Sequence, residues 1–264
     1  DAPIKDLTVA DVTVRENGVA REVVRVSPAP PPSHVLLLID DSQVVQTPLP
    51  YLRSAMAAFI KRMGEMKPAP LQGLWTFGER PTRRVEYTAK SAAVAEGAGR
   101  IFAINGAGAY FMQSVMDACD DLRKKGAPSP VIVAFVAENG PEFSNGVHTQ
   151  VADALKKAGA SLWAVVLQIG GQPMNSPELR ERAAVLGDVT TESGGMNKLV
   201  LSGQGLESAF FHFCAARLTA RFPAAATTLA LPDFEVFALE LGRGRYVEGF
   251  ARALNVGPET FGAP

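Results

Sequence analysis

The chain has 264 residues, and its 26 Lys and Arg side chains nearly balance its 27 Asp and Glu side chains, giving a formal net charge of −1. This balance excludes attraction to nucleic acid or to an anionic membrane by a global field. Apolar residues make up 47% of the chain, which is enough for a sizeable core and excludes disorder as the main state. The longest apolar runs are far shorter than the ~20 residues that span a bilayer, so we expect no membrane insertion.

The two cysteines and the first residue do not indicate the cellular compartment of the protein. Cys119 and Cys214 each fall on an apolar stripe at helical spacing, which predicts buried free thiols rather than a disulfide or a metal site. The sequence starts at Asp1 without an initiator Met. Removal of a signal peptide and simple trimming of the chain would both give such a start.

Both ends of the sequence have strand-like patterns. Residues 7–26 alternate loosely around the turn Glu16-Asn17-Gly18, which predicts a β-hairpin. The proline-rich residues 28–33 predict an extended linker. Because an isolated hairpin is marginal in water, we expect residues 1–27 and 223–264 to form one small antiparallel β module. Its C-terminal strands are predicted at residues 228–231, 235–241 and 246–253.

Residues 34–222 are predicted to form one α/β domain. The predicted strands are residues 35–39, 71–77, 83–88, 131–137, 161–169 and 198–201. The predicted helices are residues 50–63, 91–102, 111–125, 149–158, 176–186 and 206–221. Continuous apolar strands alternating with helices indicate a Rossmann-like, doubly wound, mostly parallel sheet with helices on both faces. The tight turn between the second and third strands predicts one antiparallel edge strand.

No motif for catalysis is found in the sequence. It has no Gly-x-Ser-x-Gly elbow, no phosphate-binding loop and no complete dinucleotide-binding fingerprint. The three histidines, His34, His148 and His212, are not paired with a nucleophile in the sequence. We therefore predict that the protein is not an enzyme.

Polar residues are concentrated where the predicted strands end. In doubly wound sheets, ligands bind outside the carboxyl ends of the strands. That edge carries Asp40-Asp41-Ser42 after the first strand, a glycine-rich loop at residues 105–110, and the polar residues 138–145 after a later strand. These three segments are therefore the candidate site.

The order of these segments resembles that of a von Willebrand factor A domain. The pair Asp40 and Ser42 resembles the Asp-x-Ser-x-Ser motif of that family, and Gly108-Ala109-Tyr110 resembles its Gly-Gly-Thr loop. Glu138 ends a strand where the family has Thr-Asp-Gly. The resemblance covers residues 34–222.

The residues before the domain fit a bacterial branch of the family. Asp6-Leu7-Thr8 and the Glu16-Asn17-Gly18 hairpin resemble the segments that precede the domain in that branch. For proteins of that branch the resemblance implies an extracytoplasmic location, either periplasmic or secreted.

The resemblance implies a metal-ion-dependent adhesion site, in which oxygen ligands hold Mg²⁺ or Mn²⁺ and an acidic residue of the partner completes the octahedron. Three positions depart from the pattern: Val44 replaces the second serine, Tyr110 replaces threonine, and Glu138 replaces aspartate. The remaining candidate metal ligands are Asp40, Ser42 and Glu138. Because most oxygen ligands are changed, we predict that metal assistance is weakened or lost.

The resemblance implies a non-catalytic, adhesion-type domain that binds another protein through these loops. The predicted partner-binding residues are Asp40, Asp41, Ser42, Tyr110, Glu138, Glu142, Phe143, Ser144 and Asn145. Phe143 would be an apolar contact on a polar rim. Alternatively, Glu142, Ser144 and Asn145 form a turn that opens the next helix.

Two other interpretations stay open. The domain could be a metal-assisted enzyme that uses Asp40, Glu138 or Glu142 as acid or base, or a purely structural module of an envelope protein. Without a ligand, Asp40 and Ser42 are expected to bind neighbouring loop amides, with Asp41 solvated beside them. The sequence identifies neither the partner nor the oligomeric state.

Overall fold

The computed structural model describes residues 8–16, 19–24, 33–168, 176–202, 205–208, 244–247 and 253–256. The chain divides into two compact units, Asp1–Thr228 and Leu229–Pro264. Among the described residues, no helix has both the length and the apolar character that crossing a membrane requires.

The first unit begins with a short hairpin. Strands β1 (Val14–Glu16) and β2 (Val19–Arg21) pair antiparallel, with Glu16 opposite Val19. The hairpin prediction is confirmed in its strands, although Val23 and Val24 follow β2 instead of belonging to it. The predicted turn residues Asn17 and Gly18, and the linker 28–32, lie outside the described residues.

A six-stranded sheet forms the centre of the first unit. Its strands are β3 (His34–Ile39), β4 (Leu71–Thr76), β5 (Thr82–Thr88), β6 (Val131–Ala137), β7 (Ser161–Leu167) and β8 (Met196–Val200). They lie in the order β5-β4-β3-β6-β7-β8. Only the β4–β5 pair of this sheet is antiparallel. The predicted mostly parallel sheet with one antiparallel edge strand is therefore confirmed.

Helices cover both faces of the sheet. The described helices are α1 (Leu49–Glu65), α2 (Ser91–Gly99), α3 (Phe111–Lys124), α4 (His148–Ala158), α5 (Pro177–Ala184), α6 (Thr190–Glu192) and α7 (Gly205–Ser208). On β3, Val35, Leu37 and Ile39 belong to the core shared with α1 and α2. Leu36 and Leu38 belong to the opposite core, shared with α3 and α4. Burial on both faces explains the uninterrupted apolar run of this strand.

Two predicted helices differ in their bounds. The helix predicted at residues 91–102 ends at Gly99, and the chain then runs as a loop to α3. The helix predicted at 176–186 is α-helical only to Ala184, after which Val185–Val189 form a π-helical turn. Such wide turns insert an extra residue into a helix and often occur near functional sites. Beyond Ser208, the helix predicted at 206–221 lies outside the described residues.

The second unit contains a described hairpin of strands β9 (Gly244–Val247) and β10 (Ala253–Val256), paired antiparallel. The single strand predicted at residues 246–253 is thus wrong, because the segment is shared between the ends of two strands. The strands predicted at 228–231 and 235–241, and Cys214, lie outside the described residues. One β module built from both termini stays a prediction.

The sheet topology selects one place for a ligand. From β3 the chain moves to β4 and β5 on one side, then returns to β6 on the other side of β3. The loops after β3 and β6 therefore diverge, and such a switch point opens a crevice at the carboxyl ends of the two strands. We call this region, residues 40–46, 104–110 and 138–147, the switch edge.

We expect Gly195→Ala to destabilise the domain strongly. A Cβ atom at position 195 would lie 1.7 Å from the carbonyl oxygen of Leu162 in the neighbouring strand, and backbone cannot yield as a flexible side chain can. The expected loss is about 3 kcal/mol in the free energy of unfolding, measured by urea denaturation.

Gly187→Ala is the matched control. No atom lies within 4 Å of a Cβ at position 187, so this variant should stay within about 1 kcal/mol of the wild type, on the stabilising side. Equal losses in the two variants would contradict the packing at Gly195.

Candidate partner-binding site at the switch edge

Asp40 joins the ends of the two diverging strands. It follows β3 directly and is completely buried. Its Oδ1 accepts a hydrogen bond from the amide of Ser42 at 2.9 Å, and its Oδ2 accepts one from the amide of Ala137, the last residue of β6, at 3.1 Å. The expected contacts of Asp40 with loop amides are confirmed. One carboxylate therefore fixes both loops of the switch point.

Asp41 is also buried, so the expectation of a solvated carboxylate is wrong. Its Oδ1 accepts a hydrogen bond from the amide of Gly78 at 2.6 Å, and its Oδ2 pairs with Arg84 Nη2 at 3.0 Å. Its backbone carbonyl accepts a hydrogen bond from the amide of Ile104 at 2.9 Å. Asp41 thus connects the first loop to β5 and to the loop before α3.

Ser42 is the unsatisfied member of this network. Its side chain is completely buried, and its Oγ makes no hydrogen bond among the described residues. The hydroxyl dipole still lies close enough to Asp40 to favour the charged form of that carboxyl group. Val44 follows on the loop and packs against the core on the α1 side.

Tyr110 and Phe143 form an aromatic pair at the rim of the switch edge. Their ring centres are 5.9 Å apart, and the side chain of Phe143 is 49% exposed. The two loops also pair through their backbones, because the amide of Phe143 donates a hydrogen bond to the carbonyl of Ala109 at 2.7 Å, and the amide of Ala109 donates one to the carbonyl of Pro141 at 2.7 Å. A Cβ at Gly108 would lie 2.1 Å from the Phe143 ring. Glycine at position 108 therefore permits this close approach.

Glu142 and Ser144 bind the start of α3, not that of α4. The first residue of α3 follows Tyr110, which makes no capping hydrogen bond. Instead, Ser144 Oγ accepts a hydrogen bond from the amide of Gln113 at 3.0 Å, and Glu142 Oε1 accepts one from the amide of Ser144 at 3.2 Å. The local turn is therefore present, because Glu142 binds the amide two residues on. The expectation that it opens the next helix is wrong for Ser144, which caps a helix 31 positions earlier in the chain.

Arg182 is the site residue that the sequence analysis missed. It projects from α5 and is 3% exposed. Its Nη1 donates a hydrogen bond to the carbonyl of Gly140 at 2.9 Å, and its Nη2 donates one to the carbonyl of Glu138. Arg182 precedes the buried residues Val185 and Val189 at helical spacing. A charged residue on an apolar stripe was the signal that could have revealed it.

Burial shifts the pKa of the ionisable groups in this cluster. It raises the pKa of Asp40 and of Glu142, against the opposing effect of their hydrogen-bond donors and of Arg182. It lowers the pKa of the Arg182 guanidinium, against the attraction of Glu142, Asp40 and Glu138. The cluster therefore contains mutually dependent charges, because each would be costly to bury alone.

The predicted site residues divide into two groups by exposure. Five are buried and hold the loops in place: Asp40, Asp41, Ser42, Glu142 and Ser144. Phe143 and Asn145 are exposed, and Tyr110 and Glu138 are half-buried. The structure therefore brings all nine to the switch edge, with four of them at its surface.

The described residues do not fit a resident divalent ion. No group of three or more His, Cys, Asp or Glu side chains in the described chain is arranged to hold a metal. Ser42 Oγ, Glu138 Oε2 and Glu142 Oε2 are buried and unpaired, which leaves three oxygen atoms for a cation. The guanidinium of Arg182, however, already supplies a positive charge at this site: it lies 3.9 Å from Glu142 and is attracted by Asp40 and Glu138 as well. Val44 adds no oxygen ligand.

Two described cavities lie away from these carboxylates. One, of about 620 Å³, lies between α4 and the segment from Val189 to Ser193. The other, of about 250 Å³, is lined by residues of β4, β5 and α3, including Trp75 and Asp121. Neither cavity is lined by Asp40, Glu138 or Glu142.

Comparison of the sequence with protein-family models and with curated proteins gives no match. Solved structures do match. The von Willebrand factor domain of the type V pili tip protein Mfa5 from Porphyromonas gingivalis is similar at a TM-score of 0.52 and 12% identity, over 70% of this chain and 94% of that one. The chain has the von Willebrand factor A fold. This finding confirms the fold that the motif order implies.

Two further structures share this von Willebrand A fold. BatB from Bacteroides thetaiotaomicron has a TM-score of 0.50 and 11% identity, over 69% of this chain and 97% of that one. The pilus adhesin SpaC from Lactobacillus rhamnosus GG has a TM-score of 0.53 and 10% identity, over 72% of this chain and 30% of the adhesin. At these identities the likeness establishes the fold, and the function must be argued from the site.

We expect Ser144→Ala to lower the free energy of unfolding by about 1 kcal/mol, because the amide of Gln113 at the start of α3 loses its capping acceptor. Chemical denaturation measures the loss.

Ser114→Ala is the matched control within α3. The Ser114 hydroxyl is buried and has no hydrogen-bond partner among the described residues, so its removal should change stability by less than about 0.5 kcal/mol or increase it. If Ser144→Ala were no less stable than Ser114→Ala, the capping role of Ser144 would be wrong.

Proposed function

We propose that residues 34–222 form a non-catalytic, adhesion-type interaction domain that binds another protein through the switch edge. The observation that carries the proposal is the aromatic pair of exposed Phe143 and half-buried Tyr110, on a rim whose supporting polar groups are buried. Aromatic side chains supply much of the binding energy in protein interfaces because they bury a large area with few rotatable bonds.

The loops that carry this rim are held in one arrangement. The amide of Tyr110 donates a hydrogen bond to the carbonyl of Phe77 at 2.8 Å, and the amide of Gly106 donates one to Gln43 Oε1 at 2.8 Å. Loops that are already ordered lose little conformational entropy when a partner binds. Pre-organisation of this kind supports a binding surface.

The structural neighbours support the choice of a protein partner. Among proteins with this fold, SpaC is a pilus adhesin and Mfa5 is a pili tip protein. We infer from them that this chain also binds a protein and works outside the cytoplasm. Metal assistance is weakened or lost in this proposal. Val44 stands where the motif has an oxygen ligand, and Arg182 already supplies a positive charge at the site.

The site gives less support to an enzyme. Asp40 and Glu142 have raised pKa values, as paired catalytic carboxylates often have. Both side chains are buried, however, and the two described cavities lie elsewhere. A substrate would therefore have no access to them in this conformation.

The proposal is tested by capturing partners with the full chain as bait. An envelope fraction of the source organism is passed over the immobilised chain, in EDTA and in Mg²⁺. We expect the same protein to be retained in both buffers and to bind the purified chain directly. Absence of any direct binder, or binding that is unaffected by changes at the switch edge, would count against the proposal.

We expect Phe143→Ala to weaken binding of the captured partner at least about tenfold in a surface plasmon resonance titration, because the exposed ring would be removed from the interface. Its thermal stability should remain close to that of the wild type, since the side chain is half exposed.

Leu71→Ala is the control for a loss of exposed apolar area. Leu71 is 37% exposed and lies at the start of β4, at the opposite edge of the sheet. Its removal should leave the affinity unchanged. Equal weakening by the two variants would place the partner elsewhere on the domain.

A further inference from the structure

The switch edge contains a built-in cation. The Arg182 side chain reaches from α5 across the end of β6, where it donates hydrogen bonds to the carbonyls of Glu138 and Gly140. Its Nη1 is also 3.9 Å from Glu142 Oε2. The carboxylates of Glu142, Asp40 and Glu138 all attract this guanidinium electrostatically. One buried positive charge thus lies beside Glu142 and is attracted by Asp40 and Glu138 as well.

We propose that the guanidinium of Arg182 replaces the divalent ion of a metal-ion-dependent adhesion site, so that the switch edge keeps its arrangement without metal. A guanidinium suits this role because it stays charged when buried and presents five N–H donors in a fixed plane. A Mg²⁺ ion would instead need near-octahedral oxygen ligands at about 2.0–2.1 Å.

The local chemistry favours the arginine over an ion in two respects. Val44 offers no oxygen where the motif has a serine hydroxyl. A divalent ion beside Arg182 would meet a like charge in a site with little water to screen it. Three buried oxygen atoms are without a hydrogen-bond donor at this site, Ser42 Oγ, Glu138 Oε2 and Glu142 Oε2, and the last of them faces Arg182 at 3.9 Å.

The positive charge of Arg182 therefore accounts for a site that has Val44 in place of a serine ligand. A site without a metal leaves buried carboxylates uncompensated, and an uncompensated buried charge is strongly destabilising. Arg182 compensates these carboxylates in place of a bound ion. It lies in α5, outside the three loops that resemble the family motif. The inference concerns only the cation and the loops, so it can be tested without a partner.

The first experiment compares the wild type with Arg182→Ala in EDTA and in millimolar Mn²⁺. The wild type should show no heat of Mn²⁺ binding by isothermal titration calorimetry, and its melting temperature should be the same in both buffers. In EDTA, Arg182→Ala should melt about 6 °C or more below the wild type, because three carboxylates lose their compensating charge. Millimolar Mn²⁺ should restore at least half of that loss.

Two further variants separate this role from a merely structural one. Arg182→Lys keeps the charge but not the planar guanidinium, so it should lose less stability than Arg182→Ala. Its melting temperature should show no response to Mn²⁺. If the alanine variant does not fold, the lysine variant is compared with the wild type instead. Adding Asp40→Asn to Arg182→Ala should abolish the restoration by Mn²⁺, which assigns the ion to the switch edge.

The proposal is overturned if the wild type binds Mn²⁺ at the switch edge, if Arg182→Ala is as stable as the wild type, or if its loss is not restored by Mn²⁺. None of these outcomes depends on the partner. A failure to find a partner, with the Mn²⁺ results as expected, would overturn the proposed function alone.

Discussion

The structure of the switch edge depends on one buried carboxylate. Asp40 lies where β3 ends, and its two oxygens bind the amide of its own loop and the amide at the end of β6. These strands are neighbours in the sheet, but their connections leave in opposite directions. Without this bridge, the amides of Ser42 and Ala137 would be unpaired where the two diverging loops begin, and each unpaired amide is costly to bury. The carboxylate is costly to bury as well, and Arg182 and the donor amides offset that cost.

The other polar residues extend the same arrangement outward. Asp41 connects the first loop to β5 through Arg84, and Ser144 connects the third loop to α3 through Gln113. The second and third loops then pair through Ala109 and Phe143. The result is a layered edge, with charged and hydroxyl groups beneath and an aromatic rim above. The buried layer has little exposed surface of its own, but it determines where the rim lies.

Much of the fold could be predicted from the sequence because its signals are local. The strand at residues 131–137 was predicted with its observed bounds, since seven apolar residues in a row leave few alternatives. The site was harder, because the partner of a buried polar group is set by tertiary contacts. Nothing near Asp41 in the sequence indicates Arg84, 43 positions away. Likewise, Ser144 caps a helix 31 positions earlier, so a local turn was the natural expectation. The π-helical turn after Ala184 has no clear sequence signature either.

The division between a buried charged layer and an exposed aromatic rim also bears on specificity. Because the guanidinium of Arg182 is buried and already paired within the edge, it offers little attraction to an acidic partner residue, which an accessible metal ion would attract. In the proposed function, recognition would then come from shape and apolar contact around Phe143, with polar groups such as Asn145 adjusting the fit. A chain with a net charge of −1 adds no long-range steering to this. Under the proposed function, substitutions in the rim are therefore expected to change partner specificity without disturbing the network that holds the loops.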